Sequence, residues 1–366
     1  MDTLVGAFFS CHKKLANPGA QRPFKILLTN GAHLGDVVLS TLILQRLKST
    51  YPLSTIGIVV GSWSTMVVNK HPLIDYVYVV DHWQLNRSSK AIWSKFLQYK
   101  RTYETALAKI KAEKYDVAID LYFYFPNSIM LLYQSGIPRR IAFNSAGLGP
   151  LLTDSIDWQP GLGSIVNYFH LLVDQLGDSS TRCSVDSAYE AVPALYSAPL
   201  SFELPSGKKI ALHIGTGGKF KEWPVLKWKE LAHKLETDGY QLIFTGAGDE
   251  ERRKIEFATS GLKKAINLCG ALSWGEFLST IRNCDFLVGV DSVACHVAAA
   301  LGVPSLTLAN GVQDPNLWKP CSTVNTVIRH PVGCFPCYRP KGCHEMACIQ
   351  LIEVDDVREL IHKKLT

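Results

Sequence analysis

An acidic residue stands at the start of a predicted helix in KILLTNGAHLGDVVLS, which runs from residue 25 to 40. The first residues of this stretch are typical of a buried strand, and Gly31 and Gly35 form a loop that leads into the helix. Strand, glycine loop and helix commonly bind a phosphate at the helix N-terminus, but Asp36 would repel one. Two interpretations stay open: Asp36 caps the helix, or it takes a proton from a hydroxyl group as a general base.

A loop in the second half of the chain has the composition of a phosphate-binding site. In HIGTGGKFKEWP, Thr216 and Gly217 can bring a hydroxyl and a backbone N–H close to phosphate oxygens. Lys221 adds positive charge to the same loop. The structural alternative is a polar turn that contains lysines.

Two further loops follow predicted strands. In VGVDSVACHVAAALGVP, Asp291 and Ser292 open an alanine-rich helix whose N-terminus attracts anions, and His296 lies one turn further along. In FTGAGDEE, Asp249 or Glu250 caps a helix or contacts a ribose. Taken alone, a histidine at this position is more often a satisfied core residue than a ligand contact, and the presence of two phosphate-type loops in this half gives His296 its weight.

Four thiols lie close together in CFPCYRPKGCHEMAC: Cys334, Cys337, Cys343 and Cys348. Four cysteines that begin with a CxxC pair are typical of a tetrahedral structural zinc or iron site. We therefore predict such a metal here, with Cys321 and His344 as substitute ligands. Free thiols or a labile disulfide are the alternatives. No catalytic metal is expected, because no DxD motif appears.

Composition narrows the class of function. The chain has 366 residues, 47% of them hydrophobic, which suffices for two domains. A formal charge of +6 fits either a phosphate-bearing partner or an ordinary solvated surface. No basic run of the nucleic-acid-binding type and no apolar run of membrane-spanning length occurs, so we expect neither nucleic acid as partner nor a membrane span. Residues 1–23 lack the order of a secretory signal, and a cytoplasmic protein is expected.

Apolar stretches alternate with helical patterns in both halves. Strands are predicted at 26–30, 56–60, 77–80, 116–121, 209–214, 240–245, 285–290 and 303–308, and helices near 37–50, 88–113, 164–177, 225–238, 249–258, 273–283 and 292–301. This alternation indicates parallel sheets covered on both faces. We predict two Rossmann-like domains, 1–195 and 196–366, with a linker at 190–207; the second includes the Cys-rich segment and a C-terminal helix.

The chain resembles the heptosyltransferases of glycosyltransferase family 9 in four stretches: HLGDVVLSTLILQRLKSTYP, GTGGKFKEWP, GAGDEE and VDSVACHVAAALGVPSLTLANG. The resemblance spans residues 25 to 365. It implies an α/β glycosyltransferase-B fold, in which two Rossmann-like domains face a central cleft. The first domain then binds the acceptor, a lipopolysaccharide inner core, and the second binds the nucleotide-sugar donor, ADP-heptose.

The resemblance also implies site residues. Asp36 matches the catalytic carboxylate, and we predict it as the general base of a single inverting displacement. The implied donor contacts are Thr216, Gly217, Lys221, Leu272, Asp291, Ser292, Val293 and His296. Val293 replaces a usual glycine, Gly248 replaces a ribose-binding glutamate, and Leu272 stands where some members place an adenine-packing methionine. Arg139 and Arg140 are predicted acceptor-phosphate contacts, with ordinary surface arginines as the alternative.

Two other functions stay open. One is transfer to a protein acceptor of the autotransporter type, which a metal-bound Cys finger would favour. The other is a non-catalytic nucleotide-sugar-binding assembly module. Peripheral contact with the inner membrane and an oligomeric state are open as well. A dehydrogenase is disfavoured, since no strand precedes a GxGxxG with an acid about twenty residues on.

Overall fold

Continuous apolar runs form a parallel sheet in each of two units of the chain. The computed structural model describes residues 23–177, 198–339 and 341–365. The chain divides into two compact units between residues 188 and 189. The predicted domain boundary at 195/196 and the first part of the predicted linker fall in the stretch 178–197, outside the described residues.

The sheet of the first unit has six parallel strands: β1 Lys25–Asn30, β2 Thr55–Val60, β3 Tyr76–Val79, β4 Val117–Asp120, β5 Arg139–Phe143 and β6 Asp154–Ile156. They are ordered β3-β2-β1-β4-β5-β6, the strand order of a Rossmann sheet. Asn30 pairs with Val60, and Thr29 pairs with Asp120. The loops that follow β1, β2 and β4 therefore leave the same edge of the sheet.

Helices connect these strands: α1 Leu34–Thr41, α2 Leu44–Thr50, α3 Thr65–Val68, α4 Ile92–Glu113, α5 Ile129–Gln134 and α6 Ile165–Asp174, with 3-10 turns at Ser62–Ser64 and Gly149–Leu151. Strand β1 is buried from Ile26 to Asn30, and α1 buries Val37, Val38 and Leu39 against the unit's core. Burial on both faces explains why the centre of β1, Ile26 to Leu28, is a continuous apolar run rather than an alternating one.

The second unit repeats this design with β7 Lys209–His213, β8 Gln241–Thr245, β9 Ala265–Asn267, β10 Phe286–Val290, β11 Ser305–Leu308 and β12 Asn325–Ile328. All six strands are parallel and are ordered β12-β11-β10-β7-β8-β9, again the Rossmann order. Its helices are α7 Val225–Thr237, α8 Asp249–Thr259, α9 Trp274–Arg282, α10 Val293–Ala300, α11 Pro315–Trp318, α12 Ala347–Gln350 and α13 Val354–Leu365, with a 3-10 turn at Lys219–Lys221.

The C-terminal helix α13 completes the core of the second unit. Val357 and Ile361 are fully buried in the same cluster as Trp228 of α7. At the rim of this contact, the Arg358 Nε donates a hydrogen bond to Asp238 Oδ2 at 2.8 Å. The amphipathic pattern of the last residues is therefore satisfied by packing on α7.

The predicted Rossmann-like α/β fold is confirmed, and the main strands lie where the apolar runs predicted them. The predicted helix 37–50 is interrupted at Leu42 and Ile43, so α1 and α2 are separate. Strands β5, β6, β9 and β12 and helices α3, α5, α11 and α12 were not predicted. Among the described helices, none combines the length and the apolar composition needed to cross a bilayer.

Candidate active site

Asp36 is the third residue of α1, at the carboxyl edge of the first sheet. Its Oδ2 accepts the backbone N–H of His33, the N-cap residue, at 3.2 Å. Asp36 therefore caps the helix, as one of the two interpretations predicted. Asp36 is only half-buried, so capping does not withdraw the carboxylate from solvent.

The backbone around Asp36 is held by buried polar contacts. The Asn30 Nδ2 donates to the Ser40 hydroxyl at 2.6 Å, and that hydroxyl donates to the Asp36 carbonyl at 2.9 Å. Asn30 Oδ1 accepts the Ala32 N–H at 3.1 Å. These hydrogen bonds hold the loop between β1 and α1, and they thereby fix the backbone position of Asp36.

Two side chains from distant parts of the first unit lie within electrostatic reach of Asp36, and the sequence analysis missed both. Burial, and after it the negative charge of Asp36, raises the pKa of the Tyr122 phenol. Burial lowers the pKa of Arg87, and the charge of Asp36 opposes this shift. An acid with a cation and a phenol nearby is suited to binding and deprotonating a sugar hydroxyl.

Asp120 is a buried acid that holds the loop carrying Tyr122. It lies at the end of β4, is 1% exposed, and accepts hydrogen bonds from the Thr29 hydroxyl at 2.8 Å, the Tyr122 N–H at 3.2 Å and the Ser128 N–H at 2.7 Å. Burial raises the pKa of Asp120 to about 6, although these three hydrogen bonds act in the opposite direction. Asp120 therefore pins both ends of the loop 121–128, which carries Tyr122.

Arg139 and Arg140, predicted to contact an acceptor phosphate, are packed inside β5 instead. They are 8% and 6% exposed. Arg139 pairs with Asp154 of β6 at 2.9 Å, and the Arg140 Nε donates to the Leu151 carbonyl at 2.7 Å. Both guanidinium groups are thus engaged in joining β5 to its neighbours, which speaks against the predicted acceptor contact.

In the second unit, two predicted donor loops meet at the edge of the sheet. Strands β7 and β10 are neighbours, with His213 paired to Gly289. The chain order reverses between these two strands, which is where ligands of such sheets bind. The residues that follow them come into contact: Lys221 Nζ lies 2.6 Å from Asp291 Oδ2.

Three buried polar atoms of these loops and of α10 have no hydrogen-bond partner among the residues that the structure describes: Thr216 Oγ1, Ser292 Oγ and His296 Nδ1. A buried polar atom without a partner costs roughly 1–3 kcal/mol. Ser292 is the N-cap residue of α10, yet its hydroxyl does not cap the helix. The site therefore presents unused polar groups beside a cation, as a binding site for a polar anion would.

His296 is neutral in this setting. Its side chain is 6% exposed, and burial lowers its pKa to about 4, an effect that Asp291 opposes and Lys221 reinforces. Burial opposes the ionisation of Asp291, but the charge of Lys221, which is hydrogen-bonded to it, lowers its pKa overall. The charges next to the unused polar atoms are thus one cation and one carboxylate.

The remaining predicted donor contacts, Gly217, Leu272 and Val293, also lie in the second unit. Val293 is the first residue of α10, and its side chain is half-buried. Gly217 is exposed in the loop after β7. Leu272 is half-buried between β9 and α9. Beside Asp291, a small pocket opens between residues that include Thr307 and Asn310.

Glu251 of α8 is a further residue that the sequence analysis passed over. Its Oε2 accepts the Ala247 N–H at 2.8 Å. A Cβ atom at Gly215 would lie 2.3 Å from the same oxygen, so a larger residue there would displace the Glu251 carboxylate. Glu251 thus links the loops after β7 and β8, where Asp249 and Glu250 had been considered as caps.

The predicted metal site at Cys334, Cys337, Cys343 and Cys348 is not formed. Cys334 is exposed, whereas Cys348 is buried in the core of the second unit beside Gly311. The Cys343 thiol contacts Met346 instead. In the described part of the chain, no group of three or more His, Cys, Asp or Glu side chains is arranged to hold a metal ion. The metal-bound finger that would favour a protein acceptor is therefore unsupported.

Proteins named as heptosyltransferases are similar to this chain over most of its length. It is 24% identical over 321 residues to lipooligosaccharide heptosyltransferase 2 of Haemophilus influenzae, covering 83% of this chain and 88% of the relative. The structure of E. coli ADP-heptose lps heptosyltransferase II superposes with a TM-score of 0.71 at 22% identity, covering 93% of this chain and 98% of that chain. E. coli heptosyltransferase WaaC with ADP-2-deoxy-2-fluoro heptose gives a TM-score of 0.68 at 18% identity, covering 93% and 99%.

The family model of glycosyltransferase family 9 (heptosyltransferase) matches residues 105–347. These residues include β4 to β12 and every predicted donor contact. The two Rossmann-ordered sheets agree with the fold of the heptosyltransferase structures. The chain therefore belongs to glycosyltransferase family 9, the heptosyltransferase family.

Proposed function

We propose that this chain is an inverting heptosyltransferase that moves a heptose from ADP-heptose to a lipopolysaccharide inner-core acceptor. The observation that carries the proposal is the anion site of the second unit, where the Lys221–Asp291 pair adjoins buried polar atoms without partners. The donor is inferred from two relatives, one named as an ADP-heptose enzyme and one bound to a fluorinated ADP-heptose. The acceptor is inferred from the lipooligosaccharide heptosyltransferase relative.

In the proposed reaction, Asp36 takes the proton of an acceptor hydroxyl as that oxygen attacks the anomeric carbon of the heptose. The bond from this carbon to the diphosphate oxygen breaks in the same step, so the anomeric centre inverts. ADP leaves with the electron pair of the broken bond. Arg87 and Tyr122, close enough to interact with Asp36, help to orient the acceptor.

The leaving diphosphate is stabilised by the second unit in this scheme. Lys221 supplies a positive charge, and the N-terminus of α10 supplies backbone N–H groups at Val293. Thr216 and Ser292 donate hydroxyl hydrogen bonds, and Gly217 allows close approach of the backbone. Asp291 holds Lys221 in place, and Leu272 packs on the adenine side.

The proposal also places the enzyme in the cytoplasm, at the inner membrane where a lipid-anchored acceptor resides. The test is incubation of the purified protein with ADP-heptose and a lipopolysaccharide core acceptor, with ADP release and acceptor mass as readouts. An acceptor mass increased by one heptose is the expected result. The alternative function, transfer to a protein, is tested by replacing the lipopolysaccharide core with an autotransporter protein. ADP release only with that protein would overturn the proposed acceptor.

A further inference from the structure

The first two turns of α4 expose large apolar side chains. Trp93 is 75% exposed and Leu97 is 65% exposed, and Ile92 and Phe96 are also exposed. The rings of Trp93 and Phe96 lie 6.5 Å apart, edge to face. Exposed apolar side chains that form a contiguous patch mark a contact surface, whereas single ones are ordinary.

Hydrogen bonds to Asp81 fix which side of α4 faces outward. The Gln98 Nε2 donates to Asp81 Oδ2 at 2.5 Å, and the Thr102 hydroxyl accepts the Asp81 N–H at 3.0 Å. Gln98 and Thr102 lie one turn apart on one side of the helix, and the four apolar residues lie on the other side. The exposed apolar side chains of α4 therefore face away from the core of the first unit.

Positive charges accompany the apolar residues. The stretch 82–103 contains five basic residues, Arg87, Lys90, Lys95, Lys100 and Arg101, and no Asp or Glu. Lys90, Lys100 and Arg101 are exposed. The next acid is Glu104, 3.9 Å from the Lys100 Nζ. A helix with Trp, Phe and Leu on one arc and Lys and Arg around it is typical of an interfacial helix on an anionic bilayer.

This part of α4 adjoins the edge that holds Asp36. The ring of Phe125, which is exposed, lies 6.3 Å from the ring of His82, and the ring of His82 lies 4.6 Å from that of Tyr99 of α4. Phe125 belongs to the loop 121–128, the same loop that brings Tyr122 near Asp36. A lipid contacted here would therefore lie next to the proposed acceptor site.

We propose that a docking surface formed by Ile92, Trp93, Phe96, Leu97 and Phe125 with Lys90, Lys100 and Arg101 binds an anionic lipid bilayer. The apolar residues enter the interface, and the basic residues meet lipid phosphates. The inference rests on the proposed function, in that it locates where the enzyme meets the membrane that carries its acceptor. The absence of acids between 82 and 103 favours an anionic bilayer over a second copy of the chain as occupant.

Co-sedimentation of the full chain with vesicles tests this surface. Vesicles of phosphatidylcholine alone are compared with equal parts of phosphatidylcholine and phosphatidylglycerol. Binding is expected to the anionic vesicles and to weaken as salt is raised. The exposed double variant Trp93→Ala/Leu97→Ala should lower the partition coefficient about tenfold or more. Lys100→Glu/Arg101→Glu should abolish the preference for phosphatidylglycerol.

A matched control removes exposed apolar side chains elsewhere. Leu226 is 68% exposed and Leu351 is 47% exposed, and both lie in the second unit. Leu226→Ala/Leu351→Ala should bind vesicles as the wild type does. Equal binding by Trp93→Ala/Leu97→Ala would overturn the proposal. So would a concentration-dependent dimer, seen by light scattering, that the same variant dissociates, because the occupant would then be a second copy.

A lipid-free core oligosaccharide separates this inference from the proposed function. The docking variants should release ADP from that soluble acceptor at the wild-type rate, and lose activity only toward acceptor embedded in vesicles. Vesicle binding without ADP release from any acceptor would reject the proposed function alone. ADP release without vesicle binding would reject the docking surface alone.

Discussion

Lys221 Nζ and Asp291 Oδ2 lie 2.6 Å apart, joining the 3-10 turn after β7 to the end of β10. The charge of Lys221 helps to hold the pKa of Asp291 below its usual value against the effect of burial. The pair thus places a cation where the two central strands of the second sheet end. Charge placed in advance costs no rearrangement when a leaving diphosphate gains negative charge.

Replacing Lys221 by Met should remove this cation while keeping most of the side-chain volume. We expect kcat/KM for ADP-heptose to fall by roughly 10²–10³, the cost of losing one electrostatic stabiliser. Lys227→Met is the matched control, because Lys227 pairs with Glu353 at 3.2 Å in the same unit. An equal loss in both variants, measured by ADP release, would contradict a specific function for Lys221.

Thr216→Val should separate binding from stability. Thr216 Oγ1 is buried without a hydrogen bond, so its removal should leave the melting temperature unchanged or raised. Donor binding should weaken by about 1 kcal/mol, because one hydrogen bond to the ligand is lost. Thr280→Val provides the control: its Oγ1 is also buried without a partner, but it lies in α9. Calorimetric titration with ADP should be altered only by Thr216→Val.

Asp36→Asn tests the general base separately from the helix cap. Asparagine keeps an oxygen that can accept the His33 N–H, so the melting temperature should change little. Turnover should fall by roughly 10²–10⁴, the usual contribution of a positioned base, with donor affinity retained. Near-normal kcat in the variant would leave Asp36 as a cap only.

Asp120 should make stability depend on pH. Burial raises the pKa of Asp120 to about 6 in the folded protein, so the folded state holds this proton more tightly than the unfolded chain does. The stabilisation is complete at low pH and is lost as pH rises through about 6. Asp120→Asn resembles the protonated acid, so its free energy of unfolding, relative to wild type, should increase between pH 4 and 7. A pH-independent difference would show that Asp120 titrates normally.

The cysteines allow the corrected prediction to be checked. Four metal ligands would be about equally sensitive to substitution, whereas the structure makes Cys334 exposed and Cys348 buried. Cys348→Ser should therefore lower the melting temperature clearly, because it places a hydroxyl in the core. Cys334→Ser should not lower it, and neither should a chelator. Equal destabilisation by both substitutions would restore the metal site.

The main strands were predictable because burial on both faces leaves a continuous apolar signal, as in β1 and β10. Strand β5 was missed because Arg139 and Arg140 open it and were taken for ligand contacts. Their charges are tolerated there because Asp154 and backbone carbonyls accept their hydrogen bonds. Strands β9 and β12 are short and partly exposed, so their apolar signal is weak.

The donor loops were predictable because residue type and spacing lie within single short stretches. The residues near Asp36 were not predictable. Arg87 and Tyr122 lie far from it in sequence, and only the folded course of two later loops brings them close. The metal site predicted from the cysteine cluster was wrong for the same reason. Spacing placed four cysteines close in sequence, but α12 turns Cys348 toward the core while Cys334 stays at the surface.

The arrangement of strands along the chain has a consequence for biogenesis. All strands described for the first sheet end by Ile156, and those of the second begin at Lys209, so neither sheet waits for a strand from the other. A chain that emerges from the ribosome N-terminus first can close its first sheet while the second is still being translated. Early closure hides the apolar strands of the nascent chain and limits the time during which they are open to aggregation.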